Sequence, residues 1–177
     1  MKKILFILFA FCLILLTSCS DGSMGGHPVG KMELSNKAVD FTFYYPDTWL
    51  TNMNEGMVCL YVANDDPSNV SVTTFGLGED FSTLDEYISG LPESFTSQWN
   101  AVFGQTDFGT PEEITLGGVP AKKLTYEVTI GQIPYRYIQV FALKDSNVYT
   151  LTYAARTEVF DKHLKNVNGI IESFSFK

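Results

Sequence analysis

EITLGGVPAKKLTYEVTIGQIPYRYIQVFALKDSNVYTLTYAA, residues 113–155, is the stretch that decides the fold of this chain. Apolar and polar side chains alternate along its three longer runs, 121–130, 134–143 and 148–155, as they do along β-strands. Short turn-forming segments separate the runs, beginning with Gly117-Gly118. Because connections this short join antiparallel neighbours, the stretch predicts a meander of four antiparallel strands.

Further strand signals precede the meander. Residues 39–45 alternate with a period of two and end at Pro46-Asp47, after which we expect Trp49 and Leu50 to fold back onto the core. The runs 57–63 and 70–75 flank a turn and predict a hairpin. The first of these runs is apolar on both faces, which favours a central strand.

Two stretches have helical periodicity. A capping box at 83–86 begins the first, whose apolar residues continue to Val102 across Pro92, so that we expect a kinked helix or two short ones. The second is predicted from Glu158 to Ser173 with Thr157 as its cap, and we expect a short terminal strand at Ser175-Phe176-Lys177. The order of strands, helix, four strands and helix predicts an α+β fold, with an antiparallel sheet flanked by helices.

The N-terminus has the organisation of a secretory signal. Lys2 and Lys3 precede an apolar run over 4–16, and Leu16-Thr17-Ser18-Cys19 resembles the lipobox of bacterial lipoproteins. In that family the signal is cut before the cysteine, which then carries acyl chains such as palmitate, so the resemblance implies Cys19 as the lipid attachment site. An ordinary cleaved signal with a cysteine there by chance is the alternative. The predicted parts are a signal peptide at 1–18, a flexible tether at 19–30 and one domain at 31–177.

The charge of the chain excludes some classes of partner. The sequence has 12 Lys plus Arg and 20 Asp plus Glu, a net charge of −8 that becomes −10 once Lys2 and Lys3 leave with the signal. Such a protein has no basic footprint for nucleic acid and is not attracted to anionic lipid. We therefore expect the lipid anchor to hold it at the cell membrane or outer membrane, outside the cytoplasm.

No catalytic or cofactor motif is recognisable, and we predict neither a cofactor nor a metal site. After the signal, His27 lies in the tether and His163 in the last helix, where we expect a surface or boundary position. Cys59 is expected to be a small buried hydrophobe. With Cys12 removed and Cys19 acylated, no disulfide partner would remain for it. A Cys59–His163 nucleophilic pair is conceivable, but cysteines inside strands rarely act as nucleophiles.

Three further sets of residues have two readings each. Solvated turns are expected rather than cation sites at the acidic pairs Asp65-Asp66, Glu79-Asp80 and Glu112-Glu113. Five tyrosines either pack under a helix, which we favour, or form an aromatic surface for a protein or glycan: Tyr126, Tyr135, Tyr137, Tyr149 and Tyr153. Arg136 and Arg156 either orient an anionic ligand or form exposed ion pairs.

Residues 41–49, FTFYYPDTW, resemble the opening of PsbP-like domains. The helix start at 83–87, the hairpin at 116–121, the strand at 148–154 and the closing helix that ends at 170–174 follow in the order of that family. The resemblance covers residues 33–177 and implies an α/β/α sandwich around an antiparallel sheet. Members of the family bind larger assemblies without catalysis, although a shared fold does not transfer a function.

These observations lead to a hypothesis and two alternatives. The hypothesis is a lipid-anchored, non-catalytic binding or accessory domain of a bacterial envelope that engages a protein partner at the membrane surface. The alternatives are a small envelope enzyme and a carrier that holds a small ligand between sheet and helix.

Overall fold

The structure is a computed structural model that describes residues 28–54, 57–62, 66–77, 81–91 and 106–177. In these residues it has ten strands and two helices, joined by short turns. The strands are β1 (Lys31–Ser35), β2 (Phe41–Pro46), β3 (Leu50–Asn54), β4 (Met57–Tyr61), β5 (Asn69–Gly76), β6 (Glu112–Leu116), β7 (Val119–Ile130), β8 (Ile133–Lys144), β9 (Asn147–Arg156) and β10 (Ser175–Phe176). The helices are α1 (residues 84–91) and α2 (Leu164–Ser173), the latter preceded by a 3₁₀ turn at Phe160–His163.

Seven strands form the main sheet, in the order β3-β4-β5-β9-β8-β7-β6, and all neighbours are antiparallel. The predicted meander β6 to β9 is confirmed. Its first hairpin turns at Gly117-Gly118, where both residues have positive φ, as a tight hairpin turn requires. The predicted α+β fold with an antiparallel sheet and flanking helices is confirmed.

The main sheet buries a different apolar cluster on each face. One face packs against α2 and a second, three-stranded sheet of order β1-β2-β10, which the sequence reading did not predict as a separate sheet. The other face packs against α1. We call these the α2 face and the α1 face. Along β9, Tyr149 and Leu151 belong to the α2 face, whereas Val148 belongs to the α1 face, because successive side chains of a strand point to opposite sides.

Several predicted boundaries are wrong. Leu50 does not join the core, since it lies exposed in the edge strand β3, and β4 is consequently next to the edge rather than central. The last helix begins at Leu164 rather than Glu158, and Thr157 does not cap it. The predictions that Trp49 is buried and that Ser175–Phe176 forms a strand are confirmed.

The capping box at the start of α1 forms with a one-residue shift. The Glu86 N–H donates to the Thr83 hydroxyl at 3.2 Å, while the Glu86 carboxylate accepts from the Ser82 N–H at 2.8 Å. The predicted interruption at Pro92 lies outside the described residues. In the part of the chain that the structure describes, no helix is long and apolar enough to cross a bilayer.

Candidate functional site

A buried Asp–His pair joins the turn after β4 to the start of α2. Asp66 Oδ2 lies 2.8 Å from His163 Nε2, and the two side chains are 9% and 7% exposed. Asp66 Oδ1 accepts the Ser68 N–H at 3.0 Å, so the turn holds the carboxylate in place. The Trp49 ring meets the His163 imidazole edge-on, with 5.8 Å between ring centroids.

The carboxyl of Asp66 is held ionised. Burial alone would raise its pKa, but hydrogen bonds from Ser68 and His163 outweigh burial and bring the pKa down to about 2. Lys162 adds a positive charge, with its Nζ 3.5 Å from Asp66 Oδ2. The pair therefore fastens the β4–β5 turn to the last helix.

In serine hydrolases an Asp–His pair also orients the catalytic histidine. Whether the pair in this protein could act in that way depends on whether a substrate can reach it. The neighbouring hydroxyl that would complete such a set belongs to Ser68, which is 0% exposed. A nucleophile needs contact with the bond it attacks, and this hydroxyl is sealed from solvent. The geometry favours a structural role for the pair.

Two expectations from the sequence are wrong at this pair. His163 is buried rather than at the surface, and Asp66, although it lies in a turn as expected, has a side chain that is 9% exposed and paired with His163 instead of solvated. The two residues are 97 positions apart. The only local signal is the Asp-x-Ser spacing of Asp66 and Ser68, which is typical of a side chain that bonds the backbone of its own turn.

A second polar group lies within the α1 face. The Tyr126 hydroxyl donates to Gln139 Oε1 at 2.9 Å, and Gln139 Nε2 donates to the Thr152 hydroxyl at 3.2 Å. The Tyr126 and Tyr137 rings stack with centroids 5.3 Å apart. Burial raises the pKa of both tyrosines, that of Tyr137 to about 12, so both hydroxyls stay protonated at neutral pH.

The packing interpretation of the tyrosines is confirmed. Tyr126 and Tyr137 are buried in the α1 face, with the half-buried Tyr135 packed beside them. Tyr149 and Tyr153 are buried in the α2 face, where the Tyr149 hydroxyl donates to Asp40 and the Tyr153 hydroxyl donates to the Phe160 carbonyl at 2.8 Å. These five rings thus pack on both sides of the sheet instead of forming one aromatic surface.

Both arginines form ion pairs. Arg136 lies 3.6 Å from Asp161, and its guanidinium stacks 4.3 Å from the centroid of the Phe160 ring. Arg156 lies 3.9 Å from Glu158. The ion-pair interpretation is thereby favoured over an anion site.

The cysteine predictions have mixed outcomes. Cys59 is buried in β4, as expected. The expectation that it has no disulfide is wrong for this structure, in which Cys59 is disulfide-bonded. Cys12, Cys19 and His27 lie outside the described residues, so the lipid attachment site stays a prediction.

Of the acidic pairs, Glu112 and Glu113 form surface ion pairs with Lys123 and Lys122, whereas Asp65, Glu79 and Asp80 lie outside the described residues. Within the described ranges, no cluster of three or more His, Cys, Asp or Glu side chains is arranged to hold a metal ion.

The two edges of the main sheet differ in chemistry. At one edge, β6 begins with the charged Glu112 and Glu113. At the other, β3 reads LTNMN and has no charge, and its apolar side chains Leu50 and Met53 are 55% and 37% exposed. Charged residues protect an edge strand from pairing with another chain, so β3 is the unprotected edge.

Comparisons with known proteins identify the fold. The model of the PsbP family matches residues 32–176. The solution structure of cyanobacterial PsbP (CyanoP) from Synechocystis sp. PCC 6803 has a TM-score of 0.65 and 18% identity, covering 88% of this chain and 98% of that one. LpqN, involved in cell envelope biogenesis of Mycobacterium tuberculosis, has a TM-score of 0.61 and 16% identity, covering 83% and 91%.

A third similar structure is PA94 from Pseudomonas aeruginosa, described as a putative regulator, with a TM-score of 0.53 and 14% identity over 78% of this chain and 91% of that one. No curated protein matches the sequence. At these identities the solved structures show a shared fold alone.

Proposed function

Since the chain belongs to the PsbP family, whose model matches residues 32–176, we propose that it is a lipid-anchored accessory domain of a bacterial envelope. In this proposal residues 1–18 are removed, Cys19 carries the lipid, residues 19–30 are the tether, and the domain at 31–177 binds a protein partner at the membrane surface without catalysing a reaction. The structural similarity to LpqN, a protein of cell envelope biogenesis, supports the location.

The position of the reactive groups supports a non-catalytic role. The one Asp–His pair in the described residues, Asp66 and His163, is buried and fastens a turn to a helix. The Arg136 and Arg156 guanidinium groups each lie within 4 Å of an acidic side chain. A small envelope enzyme would need a reactive group at a solvent-reachable site, and these groups do not offer one.

The observation that carries the protein-partner proposal is the edge strand β3. Its outer side has no paired strand among the described residues, and Leu50, Thr51, Asn52 and Met53 are all exposed. An extended segment of a partner can add to such an edge through main-chain hydrogen bonds, with the exposed apolar side chains giving specificity. The partner that fits is therefore one that offers an uncharged, extended strand.

The path of the chain supports a position of this edge near the proposed anchor. The Gly30 carbonyl accepts the Asp47 N–H at 3.2 Å, and Lys31 lies opposite Pro46, so the tether enters beside the turn that leads into β3. The exposed Met32 lies on β1, the strand that directly follows the tether. A glycine-rich linker of about 11 residues has a root-mean-square span of about 18 Å. In this proposal the tether keeps the β3 edge close to the membrane surface.

The anchor is tested by membrane fractionation and intact mass. The wild-type chain should remain with membranes and have the mass of an acylated chain that begins at Cys19, whereas Cys19→Ala should be released. A sulfur that carries lipid cannot also form a disulfide. A mature chain with Cys19 in a disulfide and no acyl mass would therefore overturn the anchor.

The partner surface is tested by crosslinking in intact envelopes, followed by pull-down of the anchored protein. Leu50→Lys and Met53→Lys should abolish a crosslinked species that the wild type forms. Ile133→Lys is the matched control, because Ile133 is 39% exposed at the start of β8, outside the β3 edge. Crosslinks that are equal in all three variants, or turnover of a substrate by the purified protein, would contradict the proposal.

A further inference from the structure

The charge along the sheet edges differs in a way that bears on contact between two copies of this chain. The described part of the chain has three edge strands of five residues, β1, β3 and β6. β1 contains Lys31 and Glu33, and β6 begins with two glutamates, whereas β3 has no charged residue. Because the chain has a net charge of −8, two copies repel each other, and contact is least opposed where neither presents a charge. Among these three edges that place is β3.

The β3 edge has the properties that its own partner needs. An uncharged, extended segment with exposed apolar side chains fits β3, and β3 of a second copy is such a segment, with Leu50 and Met53 exposed. When two identical edges pair, each copy supplies the same surface, so the contact closes as a dimer. A dimer of this kind leaves neither β3 edge open to a third chain.

The symmetry of such a dimer determines the direction of its strands. A half-turn about an axis perpendicular to the sheet reverses the direction of β3 and keeps each face of the sheet on its own side. The two β3 strands are then antiparallel, as all neighbouring strands in the main sheet are. The α2 faces of the two copies consequently lie on the same side of the joined sheet.

The same symmetry suits the attachment of both copies to one bilayer. Strand β1, which follows the tether, belongs to the sheet that packs on the α2 face. Both tethers therefore start on the same side of the joined sheet, and an axis along the membrane normal lets both proposed anchors enter the same membrane. A parallel pair of β3 strands would need an axis along the strands, which turns one copy over and directs its tether away from that membrane.

The register of the pair follows from the faces to which the β3 side chains project. Leu60 and Val58 of β4 belong to the cluster of the α2 face. Thr51 and Met53 are paired with them in that order and project to the same face, whereas Asn52 projects to the opposite one. Because the half-turn keeps the faces, each residue lies opposite a residue of its own face, and one residue lies opposite its own copy. A register centred on Asn52 pairs all five residues of β3, whereas one centred on Thr51 or Met53 pairs three.

We propose that the partner at the β3 edge is a second copy of this chain, paired antiparallel through β3 with Asn52 opposite Asn52 of the second copy. This inference rests on the proposed protein partner and names it. Asn52 is exposed, and its amide both donates and accepts hydrogen bonds, so two facing asparagines can bond to each other. The two seven-stranded sheets become one continuous sheet.

The small size of the contact gives the membrane a part in the dimer. Two five-residue edges supply far fewer than the roughly 20–30 residues a side of a standard interface, so the pair is weak in dilute solution. Anchoring both copies in one bilayer confines them to a thin layer and raises their effective concentration. We therefore expect a dimer on membranes and a monomer for the released Cys19→Ala chain at micromolar concentration.

The test uses the acylated mature protein in vesicles of neutral phosphatidylcholine, with a donor or an acceptor fluorophore at the C-terminus of each copy. The wild type should show energy transfer above the level of randomly distributed copies. Asn52→Lys and Asn52→Glu should each weaken dimerisation about fivefold, because like charges then lie opposite each other. An equimolar mixture of the two variants should restore the transfer, which a folding defect could not do. Asn168→Lys, at an exposed position of α2, is the matched control and should behave as wild type.

The outcomes separate this inference from the proposed function. The vesicles contain this chain alone, so the absence of transfer above the random level for wild type would overturn the inference. Equal transfer in both single Asn52 variants and wild type, or a mixture that transfers no more than either variant, would do the same. A different protein that crosslinks to the β3 edge in intact envelopes would overturn the second copy as partner and leave the proposed function standing.

Discussion

We predict that the Asp66–His163 pair stabilises the folded protein and that this stabilisation depends on pH. Asp66→Asn keeps the shape of the side chain and an oxygen for the Ser68 N–H, but removes the charge that faces His163. The ordinary pKa of 3.8 and the folded value of about 2 differ by an amount that corresponds to at most about 2 kcal/mol of stability. The variant should therefore be less stable than wild type by up to about 2 kcal/mol at pH 7.

The sign of the pH dependence follows from the lowered pKa. The folded protein keeps Asp66 ionised down to about pH 2, whereas the unfolded chain takes up the proton near pH 3.8. The stabilisation is thus fully present above pH 3.8 and is lost as the pH falls towards 2. The deficit of Asp66→Asn should shrink over that range.

Urea unfolding of wild type and variant at pH 7, 5, 3.5 and 2.5 measures the effect. Asp47→Asn, a substitution of an exposed carboxylate in another turn, is the control and should change little at any pH. A deficit for Asp66→Asn that stays constant from pH 7 to 2.5 would refute the reasoning, because it would mean that shape rather than charge is responsible.

Three further predictions concern single contacts, each measured by urea or thermal unfolding. Gly117→Ala should destabilise by about 1–3 kcal/mol, since Gly117 has a φ of 57° and an added Cβ would lie 2.8 Å from the Phe176 ring; the same change at Gly118, which has open space, should cost less. Tyr126→Phe should destabilise by about 1–3 kcal/mol because it leaves the buried Gln139 Oε1 unpaired, and an unchanged midpoint would contradict that network. Arg136→Lys keeps the charge near Asp161 but removes the flat stacking on Phe160, so a loss of at most about 1 kcal/mol is expected, and a larger one would show that the guanidinium has a further role.

The sequence predicts the sheet well because its signals are local. Alternation along 113–155 and the turn residues between the runs predict the four strands of the meander, whereas their registers, such as the pairing of Tyr126 with Tyr137, come from the structure. Strand β3 was missed because LTNMN lacks strict alternation and has a single β-branched residue, Thr51, and its strand conformation comes from its pairing with β4. Whether such a segment forms an edge strand is determined by its pairing in the folded sheet rather than by its own sequence.

The polar groups could not be placed because they depend on contacts between distant segments. Asp66 in a turn and His163 before a helix are each expected to be solvated when considered alone, and only their contact in the folded structure makes them partners.

The alternation of side chains along a strand also has a limit as a source of prediction. It places Thr150 and Thr152 on the same face of β9, and threonine is also a common strand residue, so nothing in the spacing shows which of the two hydroxyls is hydrogen-bonded. Only the folded structure answers that question, because it buries the Thr150 hydroxyl without a hydrogen-bond partner.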